Sequence, residues 1–78
     1  MSTTEPDISA DELIKLIKEY PQEYLITHKQ GNRYNIEYIL LNNKELYFLR
    51  NRKTGERCYP SRILSSVENL HNDLDEDL

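Results

Sequence analysis

The hydrophobic period of this chain changes once, at Pro21, and that change limits what it can fold into. Before Pro21 the spacing is helical: Leu13, Leu16, Ile17 and Tyr20 share one face, and Ile14 widens the stripe. Ser9 is a good N-cap, Glu12 three residues on completes a capping box, and Ile8 is placed to staple onto Leu13. Proline disfavours helical geometry in the residue before it, so the helix stops at Tyr20. An amphipathic helix over 10–20 is predicted, and its apolar stripe needs a surface to cover.

After Pro21 the period is two. Tyr24, Ile26 and His28 share one face of a first strand, with Leu25 and Thr27 on the other, and "QGN" at 30–32 reads as a turn. Tyr34, Ile36, Tyr38 and Leu40 alternate with Arg33, Asn35 and Glu37, the pattern of a half-buried strand with its polar residues outward. Asn42-Asn43 makes a tight turn because asparagine tolerates positive φ. Leu46 to Arg50 is apolar on both faces over its middle, which suits a central strand. "NRKTGE" is a hairpin loop with Gly55 as its permissive residue, and Arg57-Cys58-Tyr59 is a short fourth strand ended by Pro60. "PSRI" suits a single 3₁₀ turn. Leu64, Val67 and Leu70 fit either a closing strand or a short helix.

These elements predict a mainly β, α+β domain: an N-terminal helix followed by a small SH3/Sm-like antiparallel barrel of four to five strands. Closure would remove the sheet edges that template aggregation. The alternative is an open antiparallel meander with a helix at each end. Residues 8–70 form the domain, with a disordered segment at 1–7 and a frayed acidic tail at 71–78. A chain of 78 residues supports one small core. Its lone Cys58 excludes an internal disulfide, and His28 and His71 have no partners at metal-ligand spacing. No secretory signal and no apolar run of membrane-spanning length is seen, so a cytoplasmic chain with no cofactor is expected.

Charge is distributed in blocks. Residues 1–23 carry a net −4, residues 24–62 a net +5 and residues 63–78 a net −5. A basic centre between acidic ends marks either a polyanion contact or a self-neutralising surface.

The stretch from Ile26 to Leu70 resembles the core of a WYL domain. Tyr47-Phe48-Leu49 stands where that family has its Trp-Tyr-Leu run. Arg57 and Tyr59 stand for its next arginine and aromatic, "SRI" at 61–63 for its Asp-Arg-Ile turn, and Ser66-Val67-Glu68 for its last strand. Arg33 falls where the family often has a further arginine. The resemblance implies an Sm/SH3-like barrel with a basic groove for nucleic acid or nucleotides, as found in bacterial regulators and phage defence systems. The helix-turn-helix that usually precedes such a core has no counterpart, which implies a stand-alone, degenerate version.

The candidate ligand-binding residues are Arg33, Tyr47, Arg50, Arg52, Lys53, Arg57, Tyr59 and Arg62. Arginine forks pair with phosphates, and the tyrosines would stack bases of a single strand. The competing reading has the charges solvating a hairpin while the tyrosines pack the core; Arg62 would then bond carbonyls or Glu68 inside the fold. No catalytic set is found, so an enzyme is not expected. Two functions follow: a regulatory module that binds nucleic acid or a nucleotide, or an acidic protein-interaction module, an adaptor or a phage or mobile-element inhibitor of a host protein.

Overall fold

A computed structural model describes residues 9–75, so the segment at 1–7 and the Ile8 staple lie outside the described residues. Helix α1 spans Ala10–Glu19. Ser9 Oγ accepts from the Glu12 N–H at 3.2 Å, and the Glu12 carboxylate accepts from the Ser9 N–H at 3.3 Å, completing the capping box. Tyr20 is extended, with φ −66° and ψ 138°, as the ring of Pro21 demands. A 3₁₀ turn follows over Gln22–Tyr24. Tyr24 therefore belongs to this turn and not to the first strand, because the Pro21 carbonyl captures its N–H at 3.1 Å.

Strands β1 (Ile26–Lys29), β2 (Tyr34–Leu41), β3 (Lys44–Asn51) and β4 (Arg57–Ser61) precede helix α2 (Leu64–Asp75). They form one antiparallel sheet in the order β1-β2-β3-β4. The sheet is the open meander with a helix at each end, and the expected barrel closure is corrected: residues 64–70 are helical and supply no closing strand. Asn42 and Asn43, at φ 57° and 65°, turn β2 into β3. These are the positive angles a two-residue hairpin of matching twist requires.

The register assigns side chains to two faces. Asn35, Glu37 and Ile39 lie opposite Arg50, Phe48 and Leu46, while Ile36 lies opposite Leu49 and Tyr38 opposite Tyr47. Ile39, Leu46 and Phe48 bury Ile17 of α1. Ile36 and Leu49 bury Val67 of α2 on the other side. The layers are helix, sheet, helix, with β3 contributing to both cores. Each fully buried side chain is worth about 1.5–3 kcal/mol, against a backbone ordering cost of about 1–2 kcal/mol per residue, so neither cluster suffices alone.

This two-sided cover overturns one expectation. Asn35 and Glu37 are only 4% and 2% exposed, although their alternation with Tyr34, Ile36 and Tyr38 predicts an outward face. The "PSRI" 3₁₀ turn is also not formed. Tyr59 takes φ 57° at a bulge where the β3–β4 register slips, and Pro60-Ser61 continues β4. Ser61 Oγ then accepts the Ile63 N–H at 3.0 Å. The Ile63 carbonyl accepts from Ser66 at 3.1 Å and Val67 at 3.4 Å, which starts α2. Finally, residues 71–75 are no frayed tail; they are the last turn of α2, with His71 buried one turn beyond Val67.

Arg57 fixes α1 to the sheet. Its Nη1 donates to the carbonyls of Ile17 and Tyr20, both at 2.6 Å. Carbonyls at a helix C-terminus lack partners within the helix and carry the negative end of its dipole, so a cation there is doubly favoured. Replacing Arg57 by alanine is expected to cost about 2 kcal/mol, at the charged end of the hydrogen-bond range. Lysine should restore part of it, because a single nitrogen, Nη1, makes both bonds and an ammonium also has donors enough for two carbonyls, on a shorter side chain. Urea denaturation of the two variants checks both statements.

Candidate anion-binding site

The structure divides the candidate residues into three groups. Arg50 and Arg57 serve the fold. Arg50 Nε donates to Glu37 Oε2 at 2.9 Å, and Asn35 Nδ2 reaches the same oxygen at 3.3 Å. Glu37 is thus a buried carboxylate whose charge is met by one guanidinium. Arg57 is the cap of α1; it borders a separate depression with Lys18, Thr54, Gly55 and Glu56, apart from the other arginines.

Tyr47, Tyr59 and Arg62 lie away from the basic cluster. The Tyr47 ring packs 5.4 Å from Tyr38 and 5.8 Å from His28. Burial, reinforced by the nearby Glu45 carboxylate, pushes its hydroxyl upward from the ordinary tyrosine value. Tyr59 is half exposed on the β4 bulge. Arg62 is exposed after β4, whose Ser61 pairs with Tyr47 near the middle of β3. It therefore lies toward the hairpin end of the sheet, away from Asn51. Its expected partner Glu68 instead sits 3.9 Å from His28 Nε2.

Arg33, Arg52 and Lys53 do converge. They surround an open depression with Asn32, Tyr34 and Asn51, where the β1–β2 and β3–β4 turns meet. Local sequence builds these turns. Asn51 Oδ1 accepts the N–H groups of Lys53 and Thr54 at 2.8 and 3.0 Å, an Asx turn. Gly55, at φ 83°, returns its N–H to the Asn51 carbonyl at 2.7 Å. The Arg52 N–H donates to the Arg33 carbonyl at 2.9 Å, joining the two turns, and Arg52 Nη1 donates to the Gly31 carbonyl. Arg52 also borders an adjoining hollow whose walls include Lys29, Gly31, His71 and Asp75.

Asp75 closes that hollow. Its carboxylate accepts three consecutive backbone N–H groups: Asn32 at 2.9 Å, Arg33 at 2.6 Å and Tyr34 at 3.0 Å. Burial acts to raise its pKa, but the three amides and the neighbouring His71 outweigh it and bring the value down to about 2. His71 Nε2 donates to the Tyr34 carbonyl at 2.8 Å, which fixes the tautomer, and buried Nδ1 has no partner among the described residues. Gly31 permits this approach. A Cβ there would lie 2.5 Å from His71 Nε2 and 2.8 Å from Asp75 Oδ1.

Sequence reasoning missed His71 and Asp75 because they stand in an acidic stretch that reads as tail. The signal was the spacing Leu64, Val67, His71, Asp75, which continues one helical face. Among the described residues no group of His, Cys, Asp and Glu is arranged to hold a metal, and no helix is long and apolar enough to cross a membrane. Comparison with protein-family models, curated proteins and solved structures gave no match.

Two measurements check this division of labour. Arg50→Ala is expected to destabilise the fold by about 3 kcal/mol, since it strands a buried carboxylate; a surface arginine would cost under about 0.5 kcal/mol. Asp75 has a folded pKa of about 2, below its ordinary 3.8, so its stabilisation is present above pH 3.8 and fades as pH falls through 2. Thermal melts between pH 5 and 2 should show that loss in the wild type, and less of it in Asp75→Asn.

Proposed function

We propose that this chain is a non-catalytic binding module that takes a single-stranded nucleic acid on the basic turn end of its sheet. The convergence of Arg33, Arg52 and Lys53 on one open depression, with Lys29 in the adjoining hollow, carries the reading. Guanidinium and ammonium groups gathered round one depression suit phosphate oxygens, and Tyr34 is among its lining residues. The whole-chain charge of −4 does not oppose it, because charges beyond about 8 Å are screened at physiological salt. Among the described residues that line the two hollows, the one carboxylate, Asp75, is occupied by backbone amides. The WYL-like resemblance supports the ligand class, but the site proposed here differs from the one it implies: Arg57 is an internal cap, and Tyr47, Tyr59 and Arg62 lie elsewhere.

The test is a titration of a labelled oligonucleotide at low and raised salt. Binding should weaken with salt by about 0.7 log units per decade for each phosphate contacted. Lys29→Glu with Lys53→Glu is expected to reduce affinity about tenfold or more at low salt, whereas Arg62→Glu should change little. Absence of binding at low salt, or equal loss in both variants, would sink the proposal.

A second reading has its own observation. Ile26, Leu40 and Ile63 are 43%, 52% and 61% exposed, and Ile26 pairs with Tyr38 at the hairpin end, on the face that α2 covers only in part. Apolar side chains left exposed in this way suit a protein partner, in keeping with an acidic interaction module. Retention of a stoichiometric protein by the wild type but not by Ile26→Asp would favour it.

A further inference from the structure

The β1–β2 turn is itself an anion receptor, and in this structure the chain fills it with its own carboxylate. We propose that Asp75 is an internal stand-in for a phosphate group, and that a phosphate-bearing ligand competes with it for the N–H groups of Asn32, Arg33 and Tyr34. The inference deepens the nucleic-acid reading and rests on it for the ligand class.

Consecutive backbone N–H groups aimed at one point form a concave donor set of the kind that holds phosphates. Here the donors lie 2.6 to 3.0 Å from the carboxylate oxygens. The carboxylate comes from the last residue described in α2, Asp75. A helix C-terminus disfavours negative charge, so the helix gives no reason for an anion at that place. The turn supplies it. The surrounding charges agree: Lys29 from β1 and Arg52 from the β3–β4 turn line the hollow that contains Asp75, and Arg33 and Lys53 line the next one. From α2 the hollow is faced by His71, Asn72 and Asp75, so Asp75 is the one carboxylate among its walls in the described residues. Gly31 leaves the floor without a side chain, which gives an incoming oxygen the same close approach that Asp75 Oδ1 has.

A phosphate monoester offers three acceptor oxygens and up to two charges, where the carboxylate offers two oxygens and one charge. Asp75 competes at the high effective concentration of a tethered group, so free phosphate enters only when concentrated. Occupation would release the Asp75 side chain and loosen the last turn of α2. The module would then signal its bound state through the end of a helix rather than through the sheet.

Amide NMR on the full chain tests this with three probes: inorganic phosphate, a 5′-phosphorylated oligonucleotide and the same oligonucleotide without the phosphate. The expected result is a saturable shift of the Asn32, Arg33 and Tyr34 amides with the two phosphate-bearing probes, larger than with the third. The amides of residues 71–75 should lose helical shifts in parallel. Asp75→Asn should raise phosphate affinity about tenfold, because a competitor that occupied the binding-competent state has been removed. Should that variant fail to fold, the wild-type titration decides alone. If the oligonucleotide binds and perturbs Lys29 and Lys53 while the three amides stay silent, the stand-in is refuted and the binding reading survives. If no probe perturbs any residue of the basic end, both fall. A response to inorganic phosphate alone would keep the receptor and overturn the nucleic-acid source.

Discussion

A central strand that is apolar on both faces demands two covers, and in a chain this small each cover is a single helix. Phe48 and Leu46 point to α1, and Leu49 points to α2. Neither helix is long enough to be stable alone, since isolated helices under about 12–15 residues are marginal in water. Each is therefore held by its apolar stripe and by polar fastenings toward its C-terminal end, with His71 on the Tyr34 carbonyl adding to those of α2. For α1 the fastening is a cation, Arg57, that bonds the part-buried carbonyls of the helix end. For α2 it is an anion, Asp75, that bonds the amides of a turn. Both join elements about 40 residues apart in sequence, so they close the tertiary structure rather than the local one.

Much of the backbone was legible in advance because its signals are local. The Ser9–Glu12 capping box, the stop at Pro21, the Asn42-Asn43 turn and the Gly55 loop each follow from a few neighbouring residues. The double burial of β3 was legible because both of its faces are apolar. The failures share a cause as well. Asn35 and Glu37 read as solvent-facing because their burial depends on Arg50, a partner on another strand. Helix α2 was half legible: Leu64, Val67 and Leu70 fitted a strand or a helix, and the acidic residues beyond them hid its continuation.

The candidate site shows the same limit more sharply. A guanidinium has one appearance in a sequence whether it caps a helix, neutralises a buried acid or faces solvent. Arg57, Arg50 and Arg52 fill three distinct roles within eight residues, and only the strand register separates them. The basic middle segment was a sound guide to where positive charge lies, and it overstated how many of its residues share one surface. Burial raises the pKa of Cys58, with Glu56 adding to it, which favours its protonated form.

The two outer strands, β1 and β4, border the sheet. An open sheet leaves two rows of unpaired peptide groups, which in principle can recruit a strand from a neighbouring molecule. Here β1 is four residues long with a register slip beyond Thr27, and β4 carries the Tyr59 bulge and the N–H-less Pro60. Neither border presents a straight, continuous ladder. The irregularities that spoil strand geometry thus make either border a poor template for a further strand, and they leave the chain's surface chemistry, rather than its edges, to choose its associations.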